Sequence, residues 1–412
     1  AQGSTYIDGI RSVGGQSRET FAIEQIEVVK GGDSTMGGRG SAGGSLNLVS
    51  KMPHLGTDAS LDLSYGTDDY KRAALDTNFQ LGETAAVRLN AMWHDADVAK
   101  RDVVTTNRWG VSPSIALGLG TKSRAFLNYY HLETDDVPDP GIPFERPGNA
   151  TFVKTADQLK IGPVEEVNGQ KVSRKNFYGL ANRDFRKTNV DELLFRFEHD
   201  LSDTIQVRST AKYANVKQAY IISQPDDSQG NVVNGLVWRR VNTRWSDVDS
   251  MVGQLDFAGS FDTGSVKHTF SAGFEGSWEK SNRGSFAVST NITSNNALRC
   301  NAANQAAFNC TSLFNPNPYD NWQNIPANGT VGVPITKSGV TAQTEATTYA
   351  LYAFDTITIT DSLLLNLGLR HDWYDTTNTA IAATGSSKLG LKDSFLNYQA
   401  GLVYKPVSNG SL

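Results

Sequence analysis

Strict alternation of apolar and polar residues, sustained over most of the chain, constrains its fold more than any other feature. Val87, Leu89, Ala91 and Trp93 fall on one face of a segment, and Arg88, Asn90, Met92 and His94 on the other. Leu193, Phe195 and Phe197 oppose Glu192, Arg196 and Glu198 in the same way, and Leu363, Leu365, Leu367 and Leu369 oppose Asn366, Gly368 and Arg370. The last such segment sets Leu396, Tyr398, Ala400, Leu402 and Tyr404 against Asn397, Gln399 and Gly401. Side chains of a strand point to opposite faces of its sheet in turn, so each segment reads as a strand with one greasy and one polar side. Roughly twelve of these, near the ten-residue length of a membrane-crossing strand, follow Pro53 without a convincing helix.

The connections between them are lopsided. Short polar turns at 82–84, 118–121, 202–204, 262–265 and 360–362 alternate with long excursions at about 135–188, 224–242 and 284–341. Short turns at one rim and long loops at the other are the mark of an outer-membrane β-barrel. A soluble sandwich also alternates. However, the charged polar faces (Arg72 and Asp76, for example) suit a wet lumen, and aromatics near strand ends (Tyr65, Trp109, Trp373, Tyr374, Tyr404) suit a girdle at a lipid boundary. The apolar fraction of 39%, with 38 glycines, disfavours a helical core. No run approaches the ~18 apolar residues of a spanning helix, and hydropathy is blind to alternating strands. A net charge of −5 without a basic stripe gives no reason to expect nucleic acid.

Motifs for chemistry are sparse. Gly38, Gly40 and Gly43 satisfy G-x-G-x-x-G, but a dinucleotide site needs a helix directly after the glycines, and residues 45–50 read as a strand. No nucleophile elbow or P-loop occurs, and the six histidines show no metal-ligand spacing, so neither an enzyme nor a metal site is expected. Cys300 and Cys310 read as one small disulfide formed in an oxidising compartment, with a metal site and two free thiols as the alternatives. With neither a signal peptide nor an initiator Met at Ala1, the N-terminus reads as mature, trimmed or that of a fragment.

The first 53 residues are glycine-dense and carry a resemblance. YIDGI at 6–10, followed by IEQIEVVKGGDSTMGGRGSAGGSLNLVSKMP at 23–53, is similar to the second half of the plug domain of TonB-dependent outer-membrane receptors. The matching positions are Asp8, Gly9, Glu24, Glu27, Val28, Lys30, Gly31, Gly37, Gly43, Gly44, Asn47, Ser50 and Lys51; Gly32 and Met36 depart from the family's usual proline and tyrosine. IRSVGGQSRETF at 10–21 and DDVPDPGIPF at 135–144 resemble the ferric catecholate siderophore branch, with hydroxamate or citrate siderophores as alternatives.

This resemblance implies an all-β transmembrane fold: residues 1–53 as the C-terminal part of a plug, and 54–412 as the N-terminal portion of a barrel of the 22-stranded type, hence a fragment. It implies transport without covalent chemistry. Iron would be carried as the siderophore ligand, with no covalently bound cofactor, and energy would come from TonB with ExbB and ExbD. The setting would be the outer membrane of a Gram-negative bacterium, among lipid and lipopolysaccharide, with a monomer when complete. The same fold with cobalamin, haem or a glycan as cargo, or a passive porin or adhesin barrel, is the alternative. A ferric tris-catecholate is a trianion with flat rings, so guanidinium groups suit it by charge and by stacking. Arg11 and Arg18, with Ser12 and Gln16 as donors, are the first candidates; Trp238, Arg239, Arg240, Tyr319 and Trp322 are the second. Each arginine could instead pair with an acidic neighbour. Lys30, Gly31, Gly37, Gly43, Gly44 and Asn47 read as structural.

Overall fold

A computed structural model of the chain describes residues 4–13, 18–31, 43–145, 148–149, 152–153, 162–289, 298–326 and 328–406. Gln16, Gly37, Gly32 and Met36 lie outside these.

The N-terminal segment forms a four-stranded sheet. It contains β1 (Ser4–Ile7), β2 (Ile10–Arg11), β3 (Ile23–Lys30) and β4 (Gly44–Ser50), in the order β2-β1-β4-β3. β1 runs parallel to β4, and β3 is antiparallel to it. Asp8 and Gly9 join β1 to β2, both at positive φ (55° and 79°). That is the backbone of the two-residue turn for which Asp-Gly is the standard sequence. Gly44 is required for a different reason: at φ +113° a Cβ there would stand 2.3 Å from the Val29 carbonyl oxygen.

Twelve long strands follow as one antiparallel meander, each paired with its neighbours in the chain. They are β5 (Asp58–Tyr65), β6 (Lys71–Leu81), β7 (Ala85–Asp97), β8 (Thr105–Leu117), β9 (Ser123–Asp136), β10 (Phe185–Asp200), β11 (Ile205–Asp226), β12 (Leu236–Thr263), β13 (Val266–Gly284), β14 (Ala342–Thr360), β15 (Leu363–Ala382) and β16 (Gly385–Tyr404). A short strand at 310–312 adds to the far end of β12, and the one α-helix among the described residues is a single turn, Ala302–Ala306. β5 and β16 are the free edges of this sheet, and both are almost wholly exposed.

Burial follows the sequence period. In β7, Arg88, Asn90, Met92 and His94 are buried while Leu89 and Trp93 are exposed. In β10, Glu192 and Leu194 are buried while Leu193, Phe195 and Phe197 are exposed. The polar face therefore looks inward and the apolar face outward, the reverse of a soluble protein and the arrangement of a barrel in lipid. Outward aromatics line up across strands: Trp93 opposite Trp109, Met251 between Tyr213 and Trp278, and Tyr349 opposite Trp373. Such a belt marks the boundary between hydrocarbon and headgroups.

Candidate ligand site and plug interface

The inward face holds the N-terminal sheet by charge. The Arg18 guanidinium lies 2.7 Å from Glu192 and 4.1 Å above the ring of Tyr130, and Lys212 reaches the same carboxylate at 3.3 Å. All three charged side chains are almost entirely buried. One residue on, Glu19 accepts from Arg72 (3.0 Å) and Arg108 (2.8 Å). Lys51 and Arg88 share Asp76, both at 2.8 Å, and Arg196 approaches Asp8 at 3.5 Å. Phe21 stacks on Tyr130 of β9.

Within the sheet, Asp8 accepts from the Ser50 amide (2.9 Å) and hydroxyl (2.7 Å), while Asn47 accepts from Gly9 N–H and donates to Glu27. The motif residues Asp8, Gly9, Glu27, Asn47 and Ser50 thus form one network tying β1 to β3 and β4. Gly31 sits at φ +95° where β3 ends, and Lys30 and Gly43 are exposed.

Burial opposes the charge on Glu19, but the hydrogen bonds from Arg108 and Arg72 outweigh it and hold its pKa below the ordinary carboxylate value. A depressed native pKa adds stability above the unfolded value of about 4.3, and this is lost as pH falls through the native one. We expect protease protection of residues 18–31 to weaken below about pH 4. In a Glu19→Gln protein that component of the acid response should be missing. Identical profiles for the two proteins would refute the linkage.

Two cavities flank the sheet. The larger, of about 320 Å³, lies between Arg11, Glu27 and Asn47 on one side and Asp256, Glu275 and Arg370 on the wall. The smaller, of about 200 Å³, is bounded by Val13 and by Gln218, Arg244, Ser281 and Thr344 at the long-loop end. Glu279 borders both, so together they make a vestibule running past Arg11 and Val13. Among the described residues, Arg11 and Arg244 face it without an ion pair. Arg244 escapes a motif search, yet strand phase points to it: counting in twos from Ser246, Val248 and Ser250, all buried, places it on the inward face.

The other sequence candidates are placed differently. Arg18 is engaged by Glu192, as above. Ser12 is half-buried, and its amide donates to Thr5 O at 2.8 Å. Arg239 is buried and donates to Tyr178 O, Phe308 O and Asn317 O (2.8–3.0 Å) and to Asp320 (2.7 Å). Trp238 is buried against the disulfide that joins Cys300 and Cys310, whose Cα atoms are 6.0 Å apart. Trp322 carries Arg183 4.5 Å above its ring and donates to Asn309. Arg240 lies 3.5 Å from Asp226, and Tyr319 is exposed. Arg239 and Trp238 thus tie described parts of the 137–184 and 285–341 connections to the upper end of β12.

Comparison with known proteins adds an independent line. Residues 108–412 match the TonB dependent receptor-like β-barrel family, and residues 1–45 match the TonB-dependent Receptor Plug Domain. The chain is 36% identical over its whole length to the probable TonB-dependent siderophore receptor PiuA of Acinetobacter baumannii, covering 53% of that protein. It is 33% identical over 99% of its length to the catecholate siderophore receptor Fiu of Escherichia coli K12, again covering 53%. Among solved structures it superposes on PiuA with a TM-score of 0.85 (35% identity, 99% of this chain and 56% of that one). For the open form of Fiu the TM-score is 0.82 (30% identity, 99% and 61%). The chain spans about half the length of the curated relatives it matches.

Proposed function

The chain belongs to the TonB-dependent receptors, and from that premise we propose that it is the plug-and-wall half of an outer-membrane receptor that captures a ferric siderophore of catecholate type and passes it to the periplasm. In this reading residues 1–53 are the plug portion and 54–412 the wall, and the plug is rearranged through TonB, with ExbB and ExbD supplying energy from the inner membrane. The observation that carries the ligand class is the likeness to the catecholate siderophore receptor Fiu over 99% of this chain; Arg11 on the plug side and Arg244 on the wall are the guanidiniums without an ion pair that border the vestibule, which Glu27, Asp256, Glu275, Glu279 and Asp372 also line. In this reading a trianionic chelate with flat rings is met by these two guanidiniums, by local charge and by stacking, and is held away from the carboxylates of the wall. Arg18 and Arg239, whose charges are already matched, hold the plug and the loops rather than the ligand.

Charge-assisted contacts are worth about 1.5–3 kcal/mol each. Arg11→Ala and Arg244→Ala should therefore each weaken binding of ferric tris-catecholate to the complete receptor by about tenfold or more. Fluorescence quenching on titration with the chelate measures this. Unchanged affinity in both variants, with the fold intact, would remove the vestibule from the reading. Uptake should also require TonB, and iron-limited growth of a receptor-deficient strain carrying the complete protein tests that separately.

A further inference from the structure

Of the acids that line the vestibule, one has no counter-charge. Asp372 and Glu275 lie 3.0 and 3.3 Å from the Arg370 guanidinium. Asp256 accepts from the Tyr352 hydroxyl and has Arg208 3.6 Å away, and Glu27 accepts from Gln25 (3.2 Å) and Asn47 (2.8 Å). Glu279, at the junction of the two cavities, has neither an ion pair nor a side-chain hydrogen bond among the described residues.

Strand register explains this isolation. Glu279 of β13 stands opposite Ser250 of β12 and Ala346 of β14, and its own inward neighbours are Ser277 and Ser281. The diagonal positions are valines on β12 (248 and 252) and threonines on β14 (344 and 348). Every position around the carboxylate is thus neutral and short. Arg244 lies six residues from Ser250 along β12, which at about 3.4 Å per residue is roughly 20 Å of strand. That exceeds the Debye length of about 8 Å in physiological salt, so the two opposite charges act as separate centres. A ligand that spans the vestibule meets guanidiniums at Arg11 and Arg244 and, where the cavities join, one free acid. The guanidiniums suit an anionic chelate. The acid suits a cation carried on the same molecule and repels a further carboxylate.

Resting on the catecholate reading above, we propose that Glu279 is a specificity-determining residue that selects chelates bearing an ammonium group over neutral or carboxylate-bearing ones. The test uses three ferric tris-catecholates built on one scaffold, whose pendant arm ends in a primary amine, its acetamide or its succinamic acid. Fluorescence quenching of the complete receptor in detergent measures each affinity. The wild type should bind the amine form about fivefold more tightly than the acetamide, and the acid form more weakly still. In Glu279→Gln the preference for the amine should vanish and affinity for the acid form should rise by about threefold, a gain that a misfolded protein cannot give. Glu279→Asp should keep the preference. Equal binding of amine and acetamide by the wild type, or a preference that survives in Glu279→Gln, would overturn the proposal and leave the catecholate reading standing. Binding of none of the three chelates would overturn that reading and the proposal with it.

Discussion

Replacing Glu192 with alanine is expected to unseat the N-terminal sheet from its wall. The carboxylate lies between two buried cations, Arg18 of the plug segment and Lys212 of β11, and is the only acid within salt-bridge distance of either among the described residues. Its removal leaves two positive charges facing each other out of water. Breaking a buried ion pair by deleting one partner costs about 3–5 kcal/mol, because the charge left behind loses its solvation without compensation. Arg18→Ala should cost less, since Lys212 still matches Glu192. The ordering, Glu192→Ala worse than Arg18→Ala, distinguishes charge balance from simple loss of contact. Denaturant unfolding of the complete receptor in detergent gives the energies, and entry of a bulky antibiotic into cells reports a dislodged plug. Equal, small effects of both substitutions would show that Phe21 stacking on Tyr130 holds the segment without help from charge.

Arg239→Ala should be nearly as damaging, and for a reason unrelated to ligand. The buried guanidinium satisfies three backbone carbonyls, from Tyr178, Phe308 and Asn317, together with Asp320. Truncation strands all four acceptors in a closed interior, where each unpaired polar group costs about 1–3 kcal/mol unless water replaces the donor. Loosening of 4 kcal/mol or so is a reasonable expectation if only part of the shell rehydrates. The loops 137–184 and 285–341 should become protease-sensitive together, while chelate affinity of the protein that remains folded changes little. A large affinity loss with unaltered protease resistance would return Arg239 to the ligand site.

What could be read from the chain before its structure divides along physical lines. The twelve strands and their lipid-facing sides follow from a period of two, which is a local property of the sequence; Arg244 was not among the sequence candidates, because phase assigns a residue a side and not a role. Asp8 and Gly9 were singled out only as family motif residues, although the dipeptide itself suits one hairpin geometry well. The ion pairs were not: Arg18 and Glu192 are separated by 174 positions, and nothing local specifies which lumen acid a plug arginine meets. Arg239 shows a different failure. Its phase in β12 places it on the outward side with Trp245, where a charged residue would be expected in solvent, but the connection 285–341 covers it. Long loops carry no periodic signal, so neither the cover nor the buried role could be anticipated.

The meander has a consequence for how such a wall is assembled. Strands β5–β9 are joined by short links, as are β14–β16 and also β10–β13, where the excursion expected at 224–242 is instead strand on both sides of a link at 227–235; each group therefore loses little entropy in bringing its ends together. The two remaining seams, β9 with β10 and β13 with β14, are closed across the 137–184 and 285–341 excursions, at a larger cost in chain entropy. The Tyr178 hydroxyl donates to Leu313 O at 2.8 Å, and Arg239 joins both excursions to β12. These stitches lie across the excursions themselves, so the loop cap also serves as a clasp between the panels of the wall.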